Sequence, residues 1–227
     1  MRTHRSPPRL RALSAALATC WLASAGAHPQ NPQVVSGSAH ITQQGNQLLV
    51  RTADRTILNW GGFSIAPGEA ARFLQPHAQA SVLNRVTGDQ PSQVLGQLLS
   101  NGRVFLINPN GVLVGPGARI DTAGFIASSL ALDDADFLAG RLRFTDPAVG
   151  AGVVRNEGLI QGRGGLVALV GPQVHNSGTV ASAGGSIVLA AGRSVELVDA
   201  YTPAIRVRID GVASDAQLQQ VLQRGTL

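Results

Sequence analysis

Two adjacent 20-residue stretches of the sequence match each other without a gap. Residues 153–172 have the sequence VVRNEGLIQGRGGLVALVGP, and residues 173–192 have the sequence QVHNSGTVASAGGSIVLAAG. Asparagines, glycines and apolar residues recur at the same offsets, as in the pairs Asn156/Asn176, Gly158/Gly178, Ile160/Val180, Val167/Ile187 and Leu169/Leu189. A unit this short cannot bury its own apolar face, whereas a stack of such units can. The match therefore predicts stacked coils.

The substitutions between the two copies indicate which side chains face inward. Positions 167/187 and 169/189 stay large and apolar, but Leu166 is replaced by Ser186. Because side chains alternate across a strand, the apolar parity is predicted to face the interior, and Ser186 on the other parity is expected to tolerate change. We predict two short strands in each unit, near Leu159–Gln161 and Leu166–Val170. This pattern favours an all-β parallel β-helix, with a β-sandwich of two similar hairpins as the alternative.

The residues before the repeats contain further strand candidates. A weaker copy of the unit is predicted over Ile120–Ala127. Residues Val34–Val86 hold several short strand candidates broken by glycine and proline but show no repeat. We expect a non-repeating segment of this kind to cap the first coil, whose edge would otherwise pair with any extended chain. Between these regions, Asp133–Asp136 and Asp146-Pro147 predict a polar excursion.

The first 27 residues have the organisation of a secretory signal peptide. Four arginines lie in the first eleven positions, an apolar segment covers Ala12–Ala23, and Ala25-Gly26-Ala27 forms a small-residue cleavage site. We predict cleavage after Ala27; an uncleaved anchor and lipidation of Cys20 are the alternatives.

Removal of this segment changes what the charge of the chain implies. All 18 basic residues are arginines, so loss of four leaves 14 against 13 acidic residues, a net charge of +1. The basicity therefore belongs to the export signal, and no nucleic-acid partner is predicted. The mature chain also has no cysteine for disulfides or thiolate metal sites.

Five segments resemble, in their order along the chain, the N-terminal secretion domain of two-partner-secretion (TPS) exoproteins of the filamentous-haemagglutinin type. They are NWGGFSIA (Asn59–Ala66), VLNRVTGDQPSQVLGQL (Val82–Leu98), NGRVFLINPNGVLVGPGARID (Asn101–Asp121), DDADFLAG (Asp133–Gly140) and GLVALVGPQVHNSGTV (Gly165–Val180). Together the similarity covers roughly Val34–Asp210, nearly the whole mature chain.

The resemblance implies that residues 28–227 form one TPS domain, a right-handed, single-stranded parallel β-helix with an N-terminal β-rich cap. It also implies passage through the periplasm of a Gram-negative bacterium and recognition by an outer-membrane β-barrel transporter with POTRA domains. The product would be secreted or held at the cell surface. Adhesins, haemolysins and contact-dependent toxins share this domain. We favour an adhesin- or haemagglutinin-like protein that contacts host cells or other bacteria through a further C-terminal region.

The resemblance also selects the candidate site. The family's NPNG motif corresponds to Asn108, Pro109, Asn110 and Gly111, and a secondary family motif corresponds to Asn84, Arg85, Val86, Thr87 and Gly88; the NPNL motif of some members has no counterpart. From the residues alone, NPNG predicts a turn, since Pro109 fixes φ, Asn108 bonds the backbone two residues on, and Gly111 accepts positive φ. If the motif is only a turn, Asn110→Ala should cost about 1 kcal/mol and leave export intact. If the transporter recognises it, export should fail although the variant folds.

No residue pattern points to catalysis. The acidic cluster Asp133, Asp134 and Asp136 suits either Ca²⁺ or, as we favour, a solvated loop. The mature histidines His28, His40, His77 and His175 lack zinc-site spacing, and no nucleophile elbow or phosphate loop occurs. We therefore predict a non-enzymatic chain without metal or cofactor. A polysaccharide-active β-helix enzyme and an adhesin with its site in these residues are the alternatives.

The last residues suggest that the sequence is an incomplete exoprotein. Arg224–Leu227 resembles the corner Ser177–Val180, as if another coil began there. In the alternative, Ser214–Leu222 forms a helix with Ser214 as its N-cap and covers the open end of the stack.

Overall fold

The computed structural model describes residues 28–147, 150–201, 205–210 and 221–223. The predicted signal peptide, with Ala25 and Ala27, and the tail Arg224–Leu227 lie outside these residues. The elements, in chain order, are β1 (Gln33–Ser36), β2 (Ala39–Gln44), β3 (Gln47–Thr52), β4 (Thr56–Trp60), β5 (Ala70–Leu74), β6 (Ser81–Val86), β7 (Ser92–Val94), β8 (Gln97–Ser100), β9 (Arg103–Ile107), β10 (Val112–Val114), β11 (Arg119–Thr122), β12 (Gly124–Ser128), β13 (Ala131–Leu132), α1 (Asp134–Leu138), β14 (Leu142–Thr145), β15 (Val153–Asn156), β16 (Leu159–Gly162), β17 (Val167–Gly171), β18 (Gln173–Asn176), β19 (Thr179–Ser182), β20 (Ile187–Ala191), β21 (Ser194–Val198), β22 (Arg206–Asp210) and β23 (Val221–Gln223).

Most strands stack into three parallel ladders, which are the three faces of a β-helix. The first face contains β3, β5, β8, β11, β16 and β19, the second face contains β4, β6, β9, β12, β17 and β20, and the third face contains β7, β10, β15, β18 and β23. One strand from each face makes a coil. Coil 1 contains β3 and β4, and coils 2 to 6 are β5-β6-β7, β8-β9-β10, β11-β12-β15, β16-β17-β18 and β19-β20-β23. The predicted all-β parallel helix is confirmed.

Two antiparallel strands close the N-terminal end of the stack. β1 pairs with β4 at the end of the second face, and β2 pairs with β3 at the end of the first face. The predicted cap is therefore present, but it is shorter than expected, because the strands from Gln47 to Val86 belong to coils 1 and 2. No repeat was visible there because the coils differ in length. The first-face strands begin at Gln47, Ala70, Gln97 and Arg119.

The 20-residue match corresponds to the stacking of β18, β19 and β20 on β15, β16 and β17, so it spans coils 4 to 6. Ile160 lies beside Val180, and Leu169 lies beside Leu189, as predicted. The weaker upstream copy is also a coil, since Phe125 lies beside Val167. The prediction of two strands per unit is wrong, because a third strand, β18, pairs with β15. Its sequence, QVHN, is too short and polar to show a strand period.

The second face is buried on both sides. Val167 and Leu169 point into the helix interior, where each is 0% exposed. On the opposite parity Leu166 is 4% exposed and Ala168 is 0% exposed. This opposite parity is also buried, because its side chains pack against residues outside the β-helix, including Phe137, Phe144 and Val195.

Two excursions supply this outer layer. β13, α1 and β14 lie between β12 and β15, and β21 and β22 follow β20. They join in one four-stranded antiparallel sheet with the order β13-β14-β21-β22, hereafter the outer sheet. The polar excursion is thus confirmed, but the loop interpretation of its acidic cluster is wrong, since Asp134 and Asp136 lie in α1.

The last described segment continues the third face. Val221 pairs in parallel with Val174, so the helix alternative is wrong at Val221 and Leu222; residues 214–220 lie outside the described residues. The described part of the chain contains no helix with the length and apolarity needed to cross a lipid bilayer.

Candidate functional site

The NPNG motif forms the corner of coil 3 between the second and third faces. The Gly111 amide donates to the Asn108 carbonyl at 2.9 Å, which closes the turn. The Asn110 amide donates to Asn108 Oδ1 at 2.9 Å, and Gly111 has a φ of 110°. The turn chemistry predicted from the four residues is therefore confirmed.

The side chains of this corner form hydrogen bonds to the preceding coil, coil 2. Asn108 is 0% exposed, and its Nδ2 donates to the Gln90 carbonyl at 3.0 Å and to Ser92 Oγ at 3.0 Å. Asn110 Nδ2 donates to the Gly88 carbonyl at 2.8 Å. Since a buried amide left without partners is costly, coil 2 must be in place before Asn108 can be buried favourably.

The backbone of the corner forms two hydrogen bonds to residues of the following coil, coil 4. The Asn108 amide donates to the Ser128 carbonyl at 2.9 Å, and the Gly152 amide donates to the Pro109 carbonyl at 2.7 Å. Ser128 is the last residue before the first excursion, and Gly152 is where the chain returns. A Cβ at Gly152 would lie 2.3 Å from the Asn110 carbonyl oxygen, so this return requires glycine. The corner thus holds both ends of the excursion.

The second motif fastens coil 2 to its neighbours on either side. Asn84 is 0% exposed; its Oδ1 accepts from Trp60 Nε1 at 3.0 Å and its Nδ2 donates to the Phe105 carbonyl at 3.1 Å. Thr87 donates from its amide to the Trp60 carbonyl at 2.8 Å, and Val86 is 3% exposed in the interior.

The other two residues of this motif have distinct roles. Arg85 lies 2.6 Å from Asp134 and donates to the Leu132 carbonyl at 2.7 Å, so it joins coil 2 to the excursion. Gly88 approaches coil 1 so closely that a Cβ would lie 2.0 Å from the Gly61 carbonyl oxygen. Because the Gly88 carbonyl also accepts from Asn110, the structure brings the two motifs into direct contact.

Only part of this site faces solvent. Pro109 and Asn110 are half-buried, whereas Asn108 and Gly111 are buried. Beside the corner lies an open groove of about 380 Å³, lined by Pro91, Asn110, Leu113, Val153 and Arg155 among others. A partner that meets the folded domain can contact this groove but not the Asn108 side chain.

Sequence reasoning missed the residues that receive the corner, namely Gln90, Ser92, Ser128 and Gly152. Their roles depend on which coils become neighbours, so no local pattern marks them. The 20-residue match does align Asn156 with Asn176. In the structure, Asn156 Nδ2 donates a hydrogen bond to Asn176 Oδ1 at 2.7 Å, and both side chains are buried.

Two carboxylates of the acidic cluster form ion pairs with arginines. Asp136 lies 2.7 Å from Arg141, and Asp134 pairs with Arg85. Among the described residues, no three histidine, aspartate or glutamate side chains are grouped as a metal site would require.

The fold and the corner define a class: a capped parallel β-helix whose NPNG turn joins three successive coils. Within that class the chain belongs to the TPS secretion domain family, whose model matches residues 23–224.

Solved structures and curated relatives agree with this assignment. The HMW1 secretion domain of Haemophilus influenzae superposes with a TM-score of 0.76 at 39% identity, covering 80% of this chain and 49% of that one. The filamentous hemagglutinin secretion domain has a TM-score of 0.60, with 87% and 74% coverage, and at 19% identity it supports the fold alone. A heme/hemopexin-binding protein of H. influenzae is 39% identical over 112 residues, which are 49% of this chain and 12% of that protein. A second such protein is 34% identical over 119 residues, 52% of this chain and 13% of the relative. The chain thus matches about an eighth of the length of these relatives.

Membership in the family fixes the general role. The chain is a secretion domain of the kind found in exoproteins that Gram-negative bacteria secrete, and the family is not an enzyme family. A TPS domain implies an outer-membrane transporter as its partner.

Proposed function

We propose that residues 28–227 are the secretion module of an adhesin- or haemagglutinin-like exoprotein, and that an outer-membrane transporter recognises this module through its POTRA domains. The signal peptide would direct the chain to the periplasm and be cleaved after Ala27. Contacts with host cells or other bacteria would be made by a region outside this domain.

The NPNG corner is, in this proposal, the element on which export depends. The observation that carries it is the burial of Asn108 between coils 2 and 3, where its amide has three hydrogen-bonding partners: Gln90, Ser92 and Asn110. In the extended chain the same side chain is open to solvent. The transporter therefore contacts Asn108 before the coils close, and closure of the corner removes it from the transporter.

Closure would also begin folding on the far side of the membrane. The corner binds the coil below through side chains and the coil above through its backbone. Its formation therefore sets the register of three coils at once, and later coils add to a formed edge with little further loop-closure cost. The second motif supports the same step because Gly88 accepts from Asn110.

The test is a secretion assay in cells with the partner transporter. We expect the Asn108→Ala, Asn110→Ala double variant to lose export, as does the wild type when the transporter is deleted. The purified, refolded variant should still give β-rich circular dichroism and a cooperative thermal melt, since single domains usually hold a margin of about 5–15 kcal/mol.

Asn156→Ala is the matched control. Asn156 is also 0% exposed and bonded between coils, but it lies outside both motifs. It should lower stability about as much as Asn108→Ala alone and leave export intact. Normal export of the double variant would sink the proposal, and equal loss of export in Asn156→Ala would show that stability alone is at stake.

A further inference from the structure

Two adjoining clefts lie along the corners between the first and second faces, on the opposite edge of the second face from NPNG. The larger, about 400 Å³, is lined by Asp54, Arg55, His77, Arg103 and Tyr201 among others. The smaller, about 340 Å³, is bounded by the glycine corners of coils 5 and 6. Arg103 and Tyr201 line both clefts, which are therefore adjacent, and the two clefts together are called the depression below.

The larger cleft carries unpaired positive charge. Nine arginines among the described residues pair with a carboxylate. Within the same part of the chain, Arg51, Arg55, Arg72 and Arg103 have no carboxylate oxygen within 4.0 Å, and two of these four line this cleft. Asp54 is the carboxylate of the cleft, and its Oδ1 already accepts from the Arg55 and Ser81 amides at 2.8 and 2.9 Å. The cleft therefore suits an anion.

Arg55 holds its place at a conformational cost. Its φ is 52°, in the left-handed region that glycine or asparagine occupies with less strain. Its side chain reaches α1, where Nη1 donates to the Leu138 carbonyl. Strained non-glycine residues persist where their surroundings fix them, and they concentrate at binding sites. The Arg55 side chain lines the cleft beside α1.

Tyr201 adds a flat apolar surface beside these charges. The Arg103 guanidinium carbon lies 4.0 Å from the centroid of its ring, yet 45% of the residue remains exposed. Burial raises the pKa of the Tyr201 hydroxyl above its ordinary value, while the Arg103 charge acts in the opposite direction. The hydroxyl is therefore neutral near pH 7, and the exposed part of the ring offers an apolar surface to a ligand.

The glycine corners leave peptide groups accessible in the smaller cleft. A Cβ at Gly184 would meet no atom within 4 Å, and at Gly164 it would meet only the Ala183 carbonyl oxygen, at 3.7 Å. Among the described residues, no other group therefore crowds Gly164 or Gly184. Their peptide groups can bond hydroxyls of a ligand whose charge lies at Arg55 and Arg103.

We propose that this depression binds the terminal acidic sugar of a glycan. The carboxylate would pair with the guanidinium groups of Arg55 and Arg103, the apolar side of the pyranose ring would lie on Tyr201, and hydroxyls would face the glycine corners. Pockets of this volume suit a ligand of one or two rings. This binding activity is separate from export.

Calorimetric titration of the secreted chain with methyl glucuronide tests the proposal, with methyl glucoside as the neutral match. We expect saturable binding of the glucuronide that weakens as salt is raised, and none of the glucoside. An oligosaccharide ending in glucuronate should bind at least as well as the methyl glycoside. Binding of free glucuronic acid alone would overturn the assignment to glycans.

Variants locate the site. Arg55→Gln and Arg103→Gln should each weaken glucuronide binding about 10-fold or more, the effect of losing a charged hydrogen bond. Arg72→Gln, which removes an unpaired arginine outside the depression, should not. Thermal melts identify a misfolded variant, and Arg55→Gln, at an exposed side chain, serves if Arg103→Gln unfolds. Unchanged binding in both variants, equal binding of the glucoside or no saturable binding would refute the proposal. Because this assay needs no transporter, its outcome is independent of the export assay.

Discussion

Coils 2 to 4 and coils 5 and 6 share one architecture but are joined in different ways. Coils 5 and 6 repeat at 20 residues, and each interior side chain lies beside its counterpart, as Leu169 lies beside Leu189. Coils 2 to 4 differ in length; the buried side-chain amides of Asn84 and Asn108 join coils 2 and 3, and the Asn108 backbone amide joins coils 3 and 4. Apolar stacking is non-directional and aligns the equal coils 5 and 6; one buried amide pair, Asn156 and Asn176, joins coils 4 and 5. Where the loops differ, a fully satisfied polar contact selects one register.

The largest expected effect tests the apolar ladder of the regular coils. Leu169 is 0% exposed, so Leu169→Ala should lower the free energy of unfolding by about 2–5 kcal/mol. Urea unfolding followed by circular dichroism gives the value. Gln173→Ala, at an exposed position of the same coil, should stay within about 0.5 kcal/mol. Equal losses in the two variants would contradict the ladder.

The next prediction concerns the close approach of the irregular coils. A Cβ on Gly111 would lie 2.8 Å from the Val153 carbonyl oxygen, and φ is 110°. Gly111→Ala should therefore cost about 2–4 kcal/mol, from backbone strain and the clash together. Gly117 has a φ of 80° with no atom within 4 Å of a Cβ, so Gly117→Ala isolates the strain, about 1–2 kcal/mol. Denaturant unfolding of the two variants gives both losses, and the extra loss in Gly111→Ala measures the clash with Val153. Equal losses would show that the clash contributes nothing.

The buried amide should matter more than its half-exposed neighbour. Asn108→Ala leaves the Gln90 carbonyl and the Asn110 amide without their partner, and we expect a loss of about 1–3 kcal/mol. Asn110→Ala loses bonds nearer to solvent and should cost about 0.5–1.5 kcal/mol. Denaturant unfolding of both single variants compares them, and a larger loss in Asn110→Ala would reverse our ranking.

The smallest effects separate the two regions by their ion pairs. Arg85 is enclosed between coil 2 and the excursion and contacts both Asp134 and the Leu132 carbonyl, so Arg85→Gln should cost about 1 kcal/mol. Arg155 lies 3.5 Å from Glu157 with half of its side chain exposed, so Arg155→Gln should change stability by less than about 0.5 kcal/mol. Thermal unfolding of the two variants compares the losses, and raised salt should weaken both ion pairs, because Asp134 and Arg155 are both partly exposed.

The sequence by itself determined the repeating part of this protein. Equal spacing of Val167 and Ile187, and of Leu169 and Leu189, was enough to predict parallel stacking and the inward parity, because each coil meets a copy of itself. It also determined the turn at NPNG, since proline and glycine act on the backbone locally.

Tertiary structure alone decided the rest. The outer sheet covers the outer side of the second face, so Ala168 and Val170 belong to a second apolar core. The alternation of residues along one strand cannot predict this layer, because distant residues supply it. The coil lengths before Arg119 are unequal, so no period in the sequence distinguishes the early coils from a cap. The partners of Asn108, from Gln90 to Ser128, are fixed only when three coils are placed together, because a hydrogen bond depends on where two groups lie and not on their separation along the chain.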